Sequence, residues 1–235
     1  MESKNEKDEM ALKKKLRKEL ILHFIIMIIL FIICMWDRSV NIPKFPKNFL
    51  FLTQICLYSN MIYYFLYIYY IIKEPEAINE KQKLLLLFNF NFCVSFVVFV
   101  MYWSMIFLDK KTLYKKDNII TVPTFLNILL HGGVFTVNLF ELFYNIKNKK
   151  LPYIRISFYF FFTIFYVGLL YILKILFEIK VYPFIYGNFL RFLLVSASSF
   201  IICLIGHYIY ILITKRKDNI NEEHGYEKFE LNKAL

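Results

Sequence analysis

"LLLLFNFNFCVSFVVFVMYWSMIFL", residues 84–108, runs for 25 residues without an Asp, Glu, Lys or Arg. A helix needs about 20 apolar residues to cross a hydrocarbon core of about 30 Å, so this run is long enough for one membrane span. The run lacks the alternation of a transmembrane barrel strand and is about twice the length of one. The stretch therefore predicts a membrane-spanning helix.

Five other runs have the same character: 20–36, 49–72, 119–145, 152–177 and 187–214. The 235-residue chain is 59% hydrophobic and 20% aromatic, which is more apolar surface than a soluble domain of this size can bury. We predict an all-α, polytopic membrane protein whose six-helix transmembrane bundle spans residues 20–214. A basic tail (1–19) precedes the bundle and a polar, mobile tail (215–235) follows it. No loop is large enough to form a separate domain, so any site must be built from the spans and their ends.

The net charge of +11 comes from Lys and Arg placed mainly at helix ends and in both tails. This placement is typical of membrane topology signals, so we expect no nucleic acid partner. Segments 1–19, 73–83, 146–155 and 215–217 carry seventeen Lys and Arg residues, against eight in 37–48, 109–118 and 178–186. The positive-inside rule then predicts that both termini are cytoplasmic. We expect the membrane to be that of the endoplasmic reticulum or the plasma membrane. The four cysteines lie inside apolar runs without CxxC spacing, which favours buried thiols over disulfides or metal ligands.

The fourth run contains "VPTFLNILLHGGVFTVNLFELF", residues 122–143, which is apolar yet carries several polar side chains. In a regular helix of 100° per residue these side chains share one stripe. Ionisable groups inside a span usually face the bundle interior or a wet cavity, where they are functional candidates. Amides and carboxyls often only bridge helices, whereas a histidine accepts a proton near neutral pH. We favour bridging roles for most of the stripe and a catalytic role for His131; the polar residues of the stripe are Asn127, His131, Asn138, Glu141 and Asn145.

A partner for His131 is predicted from depth in the membrane. Pro46 and Pro123 each suit the first turn of a helix. His131 then lies about 12 Å beyond Pro123, and Thr53 lies about 10 Å beyond Pro46. A hydroxyl level with an imidazole is the minimum for nucleophilic catalysis, although a threonine in a helix more often bonds its own i−4 carbonyl. Thr53 heads a second stripe that continues with Cys56, Asn60, Tyr64 and Tyr67.

Four stretches in order resemble one family over about residues 49–206. "VPTFLNILLH", running on to Glu141, is similar to the P-x-W-L-N-x-x-x-H…E segment of the androgen-induced-gene-one-like family, which includes the androgen-dependent TFPI-regulating protein. "FLTQ" (51–54), "WSMIFLDKKTLY" (103–114) and "VYPF" (181–184) also match the family. The chain departs from the family at Ile128, where the family has a second His, and at Gly206-His207, where it has Gly-Glu. The segment between Asn118 and Pro123 is about two residues longer.

This resemblance implies a multi-span hydrolase of fatty acid esters of hydroxy fatty acids, which uses a threonine nucleophile and a histidine. By position, the nucleophile is Thr53 and the base is His131. We expect a lipid ester from the bilayer as the substrate, membrane lipids as further partners, and neither a cofactor nor a metal.

Five supporting residues are predicted around this pair. Asn127, one turn before His131, orients the ring or donates to the oxyanion. Asn60 shares the stripe of Thr53. Asp109 and Tyr182 shape the mouth of the site, and Arg191 either holds a fatty carboxylate or snorkels to the interface. Two rival functions stay open: a small transporter or lipid-binding membrane protein, and a structural or regulatory bundle without catalysis.

Overall fold

The computed structural model describes residues 2–41, 51–74, 82–108, 124–144, 156–178 and 189–234. Every regular element in these residues is helical, and six helices are long and apolar enough to cross a membrane. The protein is therefore an integral multi-pass membrane protein, and the six-helix prediction is confirmed. The elements are α1 (Glu2–Asn41), α2 (Leu52–Lys73), α3 (Gln82–Leu108), α4 (Thr124–Ile128), a π-helical turn (Leu129–Gly133), α5 (Val134–Tyr144), α6 (Ile156–Phe177) and α7 (Phe189–Ala234).

The third helix, α3, lies at the centre of the bundle and packs against α2, α5 and α7. A helix that is apolar all round is typical of a buried position, and α3 has the deepest burial of the six spans. The fifth span, α6, is at the opposite extreme, because Tyr159 and Leu170 are its two buried residues. Most of the other Phe, Ile and Leu side chains of α6 are exposed, and lipid covers them in a membrane.

Close packing of α3 against α7 depends on a glycine. A Cβ added to Gly206 would lie 2.8 Å from Phe96 Cδ1, which is closer than a real Cβ contact allows. Small residues let the backbones of membrane helices approach closely. This close packing is important because no hydrophobic force drives helices together inside lipid. The glycine of the Gly206-His207 pair thus has a packing role.

Two ends of the chain differ from the simple picture of a bundle between two tails. The basic N-terminal tail and the first span form one helix, α1. The C-terminal tail, which the sequence predicts to be mobile, continues α7 as a helix to Ala234. The thiol prediction is confirmed, because the four cysteines are free and buried: Cys34, Cys56, Cys93 and Cys203.

Candidate active site

The fourth span is interrupted by the π-helical turn at Leu129–Gly133. The regular helix assumed for the polar stripe is therefore wrong at this point. A π turn holds more residues than an α turn, so side chains before it point in a different direction from those after it. Asn138 and Glu141 are completely buried, whereas His131, within the turn, is half-buried. The predicted stripe is thus divided into an upper part, Asn127 and His131, and a lower part, Asn138 and Glu141.

The imidazole of His131 is held in one orientation by two contacts. Its Nδ1 lies 2.9 Å from the main-chain oxygen of Asn127. A carbonyl oxygen can only accept, so Nδ1 carries the hydrogen and Nε2 keeps its lone pair. The ring also stacks on Tyr102, with ring centroids 3.7 Å apart and an interplanar angle of 12°. Nε2 has no hydrogen-bond partner among the described residues, so His131 is an oriented base with an available acceptor.

Thr53 lies in the first turn of α2. Phe51 precedes the helix with an extended backbone (φ −67°, ψ 134°), and its carbonyl accepts from the main-chain N–H groups of Gln54 and Ile55. The helix therefore begins at Leu52, and the prediction that Pro46 occupies its first turn is wrong. Because the helix starts six residues after Pro46, the distance counted from Pro46 does not give the depth of Thr53 in the membrane, and it cannot be compared with the depth of His131.

Contacts between helices give a better comparison of depth. Gln54, next to Thr53, donates from Nε2 to Asp37 Oδ2 at 2.6 Å near the end of α1. The neighbouring Trp36 meets the ring of Phe125, at the start of α4, with centroids 6.2 Å apart. The π-helical turn contacts both α2 and α3. Thr53 and His131 thus lie on neighbouring elements at the same end of the bundle, and a direct contact between them stays a prediction.

The hydroxyl of Thr53 differs from most other hydroxyls in the spans. Several of these bond a carbonyl of their own helix three or four residues earlier: Ser95, Thr136, Thr163, Ser196, Ser199 and Thr214. Thr53 is half-buried, and its hydroxyl forms no hydrogen bond with a described residue. Its position in the first turn explains this difference, because α2 contains no residue four positions earlier.

Comparison with known proteins agrees with the motifs. The family model described as FAR-17a/AIG1-like protein matches residues 18–218. The chain belongs to the FAR-17a/AIG1-like family. This confirms the resemblance inferred from the four stretches. No curated protein and no solved structure matches the chain.

The supporting residues predicted for this FAR-17a/AIG1-like chain have different outcomes. Asn127 orients His131 through its main-chain oxygen rather than its side chain. Asn60 is buried, and its Nδ2 donates to Cys56 O at 2.8 Å, so this amide group braces its own helix. Asp109 and Tyr182 lie outside the described residues. Arg191 belongs to α7, but its side chain also lies outside the description.

Asn138 and Glu141, in the lower part of the stripe, bridge helices as expected from the sequence, and Asn145 lies outside the described residues. Asn138 donates from Nδ2 to Ser95 Oγ on α3 at 3.0 Å. Glu141 Oε1 lies 3.1 Å from His23 Nε2 on α1 and accepts from Tyr63 on α2 at 3.1 Å. Sequence reasoning missed His23, although a histidine inside the first apolar run was an available signal. No group of three or more His, Cys, Asp or Glu side chains in the described parts of the chain is arranged to hold a metal ion.

Proposed function

We propose that this FAR-17a/AIG1-like protein is an intramembrane lipid ester hydrolase, with Thr53 as the nucleophile and His131 as the general base. The observation that carries the proposal is the orientation of His131. Its Nδ1 is committed to Asn127 O, so the ring presents Nε2 as a proton acceptor. A histidine that only linked two helices would use its second nitrogen for another helix, as His23 does with Glu141.

The position of Thr53 supports its role as the nucleophile. Its hydroxyl proton is not donated to a described residue, whereas the half-buried Thr163 donates to Tyr159 O at 2.8 Å. Thr53 and His131 belong to helical elements in contact, at one end of the bundle. The family resemblance assigns the same two residues by position.

The proposed reaction has two halves. In the first, His131 Nε2 takes the proton of Thr53 Oγ1 while Oγ1 bonds to the ester carbonyl carbon and the carbonyl π electrons move onto oxygen. Collapse of this intermediate breaks the bond to the alcohol oxygen, which receives the proton from His131 and leaves an acyl-threonine. In the second half, water loses a proton to His131 and attacks the acyl carbon, and the same proton returns to Thr53 as the fatty acid departs.

The substrate is a lipid ester that enters from the bilayer, and the family resemblance favours fatty acid esters of hydroxy fatty acids. A span-embedded site matches such a molecule, because its acyl chains remain in lipid while the ester meets the polar groups. Arg191 would bind the free carboxylate of this substrate, and Asp109 with Tyr182 would line the entrance.

The test compares four variants of the full-length protein in lipid nanodiscs with a long-chain hydroxy-fatty-acid ester as substrate. Thr53→Ala and His131→Ala are expected to abolish turnover, and Thr53→Ser to retain part of it. Thr163→Ala is the matched control, since it removes a half-buried span hydroxyl that is already bonded to its own helix. Mass spectrometry should find an activated-ester or fluorophosphonate adduct on Thr53.

Each rival function predicts a different result. A transporter or lipid-binding protein would move or hold the lipid without covalent labelling of Thr53. A structural bundle would lose thermal stability in the alanine variants without any hydrolysis in the wild type. The proposal is refuted if the Thr53→Ala or the His131→Ala variant hydrolyses the ester as fast as the wild type.

A further inference from the structure

The indole of Trp103 has a buried N–H donor that meets no acceptor within the described parts of the chain. Its Nε1 is shielded from solvent and has no hydrogen-bond partner among the described residues. An indole N–H can only donate, so an acceptor oxygen is what would satisfy it. Buried polar groups are nearly always paired in folded proteins, and an exception needs an explanation.

This donor lies beside the π-helical turn that carries His131. A Cβ built on Gly132, the residue after His131, would be 3.9 Å from Trp103 Nε1. Tyr102 stacks on His131 and also meets the indole edge to face, with ring centroids 5.6 Å apart. Two adjacent residues of α3 therefore meet the same π-helical turn: Tyr102 stacks on the imidazole of His131, and Trp103 places its N–H beside Gly132.

The indole is held by an aromatic cluster. Phe99 and Phe107, each four residues from Trp103 on α3, have ring centroids 6.4 and 6.5 Å from it. Together with Tyr102, these rings limit rotation of the indole. A donor fixed before the substrate arrives is what electrostatic stabilisation of a transition state requires, since it needs no reorganisation during the reaction.

We propose that Trp103 Nε1–H donates to the carbonyl oxygen of the lipid ester and stabilises the oxyanion that forms on it. This assignment rests on the proposed function. As Thr53 Oγ1 bonds to the carbonyl carbon and His131 takes its proton, the π pair moves to the carbonyl oxygen, where the indole N–H meets it. When the bond to the alcohol oxygen breaks, the pair returns to form the acyl-threonine carbonyl. Trp103 supplies a hydrogen bond and no proton transfer.

The chain provides a matched control for this role, because Trp36 and Trp103 are its two tryptophans. Trp103→Phe keeps an aromatic ring in the cluster and removes the N–H, while Trp36→Phe makes the same change on α1. A second variant carries β-(3-benzothienyl)alanine at position 103, which keeps the shape of the indole with sulfur in place of N–H. Thermal unfolding identifies any variant that has lost its fold.

The experiment measures kcat and KM for hydrolysis of a long-chain hydroxy-fatty-acid ester by the full-length protein in nanodiscs, with Thr53 labelling measured in parallel. Both changes at position 103 are expected to lower kcat by about 10²–10³-fold with KM little changed, as for loss of one oxyanion donor. Trp36→Phe is expected to match the wild type.

Three outcomes overturn the assignment in distinguishable ways. Wild-type kcat in Trp103→Phe and the sulfur analogue, with Thr53 still labelled, removes the oxyanion role and leaves the proposed function intact. A change confined to KM shows that Trp103 binds the ground state alone and also removes the role. Absence of both turnover and Thr53 labelling in the wild type rejects the proposed function, and this inference with it.

Discussion

Replacing His23 with alanine would break a buried polar pair that joins the first span to the fourth. His23 Nε2 lies 3.1 Å from Glu141 Oε1, and both side chains are 0% exposed. The same carboxyl oxygen accepts from Tyr63 at 3.1 Å. Three helices, α1, α2 and α5, thus meet at one carboxyl group, and the effect of the substitution can be worked out from their contacts.

The proton count of the pair determines the size of the effect. His23 Nδ1 lies 2.7 Å from Glu19 O, and since a carbonyl only accepts, Nδ1 carries a hydrogen. A hydrogen bond between His23 Nε2 and Glu141 Oε1 needs one hydrogen, which either atom can carry. Removing one partner of a buried ion pair costs about 3–5 kcal/mol, although Glu141 keeps the hydrogen bond from Tyr63 in this variant. The ring also stacks on Tyr67, with centroids 3.9 Å apart, and loss of such a contact adds about 0.5–1.5 kcal/mol.

A conservative change at the other partner gives the sharpest comparison. In Glu141→Gln, the amide N–H can donate to His23 Nε2 and the amide oxygen can accept from Tyr63. Both hydrogen bonds persist, so we expect a loss of at most about 1.5 kcal/mol. His207→Ala serves as the control, because this histidine is also buried but its Nδ1 has no hydrogen-bond partner among the described residues.

The free energy of unfolding is measured by titration with a denaturing detergent in mixed micelles, followed by circular dichroism. We expect His23→Ala to be the most damaging of the three changes and Glu141→Gln the mildest. The reasoning is refuted if the free energy of unfolding of His23→Ala lies within about 0.5 kcal/mol of the wild-type value, which is the range of surface substitutions. It is equally refuted if Glu141→Gln and Glu141→Ala are equally destabilising.

Two further predictions follow from helix packing and from the aromatic contact of the imidazole. Gly206→Ala is expected to cost about 1–3 kcal/mol, because its Cβ would lie 2.8 Å from Phe96, whereas Gly168→Ala meets nothing within 4 Å and is expected to gain up to about 1 kcal/mol of helix propensity. The same unfolding titration compares them, and the reverse order would contradict the close α3–α7 contact. Tyr102→Phe keeps a ring stacked on His131 and is expected to retain more hydrolytic activity than Tyr102→Leu. Equal kcat values in these two variants would show that the stack does not orient the base.

The number and the approximate limits of the spans were predictable, because each apolar run forms a helix irrespective of its neighbours. A segment in lipid must satisfy its backbone hydrogen bonds internally, so length and apolar character are enough to identify a helix. Helix starts were less predictable. A proline can occupy the first position of a helix, but its presence does not force a helix to begin there. The helix α2 begins at Leu52, six residues after Pro46.

The lateral arrangement of the spans was beyond the sequence pattern. A stripe shows which face of a helix is polar, but not which helix it meets. His23 and Glu141 are 118 residues apart along the chain, and no periodicity relates them. The π-helical turn was missed for a similar reason, since the stripe was derived from a constant angle per residue. Gly132-Gly133 weakens the regular helix locally, and the turn packs against Tyr102 and Trp103, contacts that the sequence pattern does not show.

The buried polar groups of the fourth span fix its position against the neighbouring helices. Inside lipid, no hydrophobic force fixes the register of one helix against another, so packing and hydrogen bonds must do so. Glu141 lies ten residues after His131, or about 15 Å along the helix, and is tied to α1 and α2. Asn138 is tied to α3, which also supplies Tyr102. The span is thus held against α1, α2 and α3 by Asn138 and Glu141, which follow the π-helical turn that carries His131. One helix can therefore carry both bridging polar side chains and an imidazole whose Nε2 has no hydrogen-bond partner among the described residues.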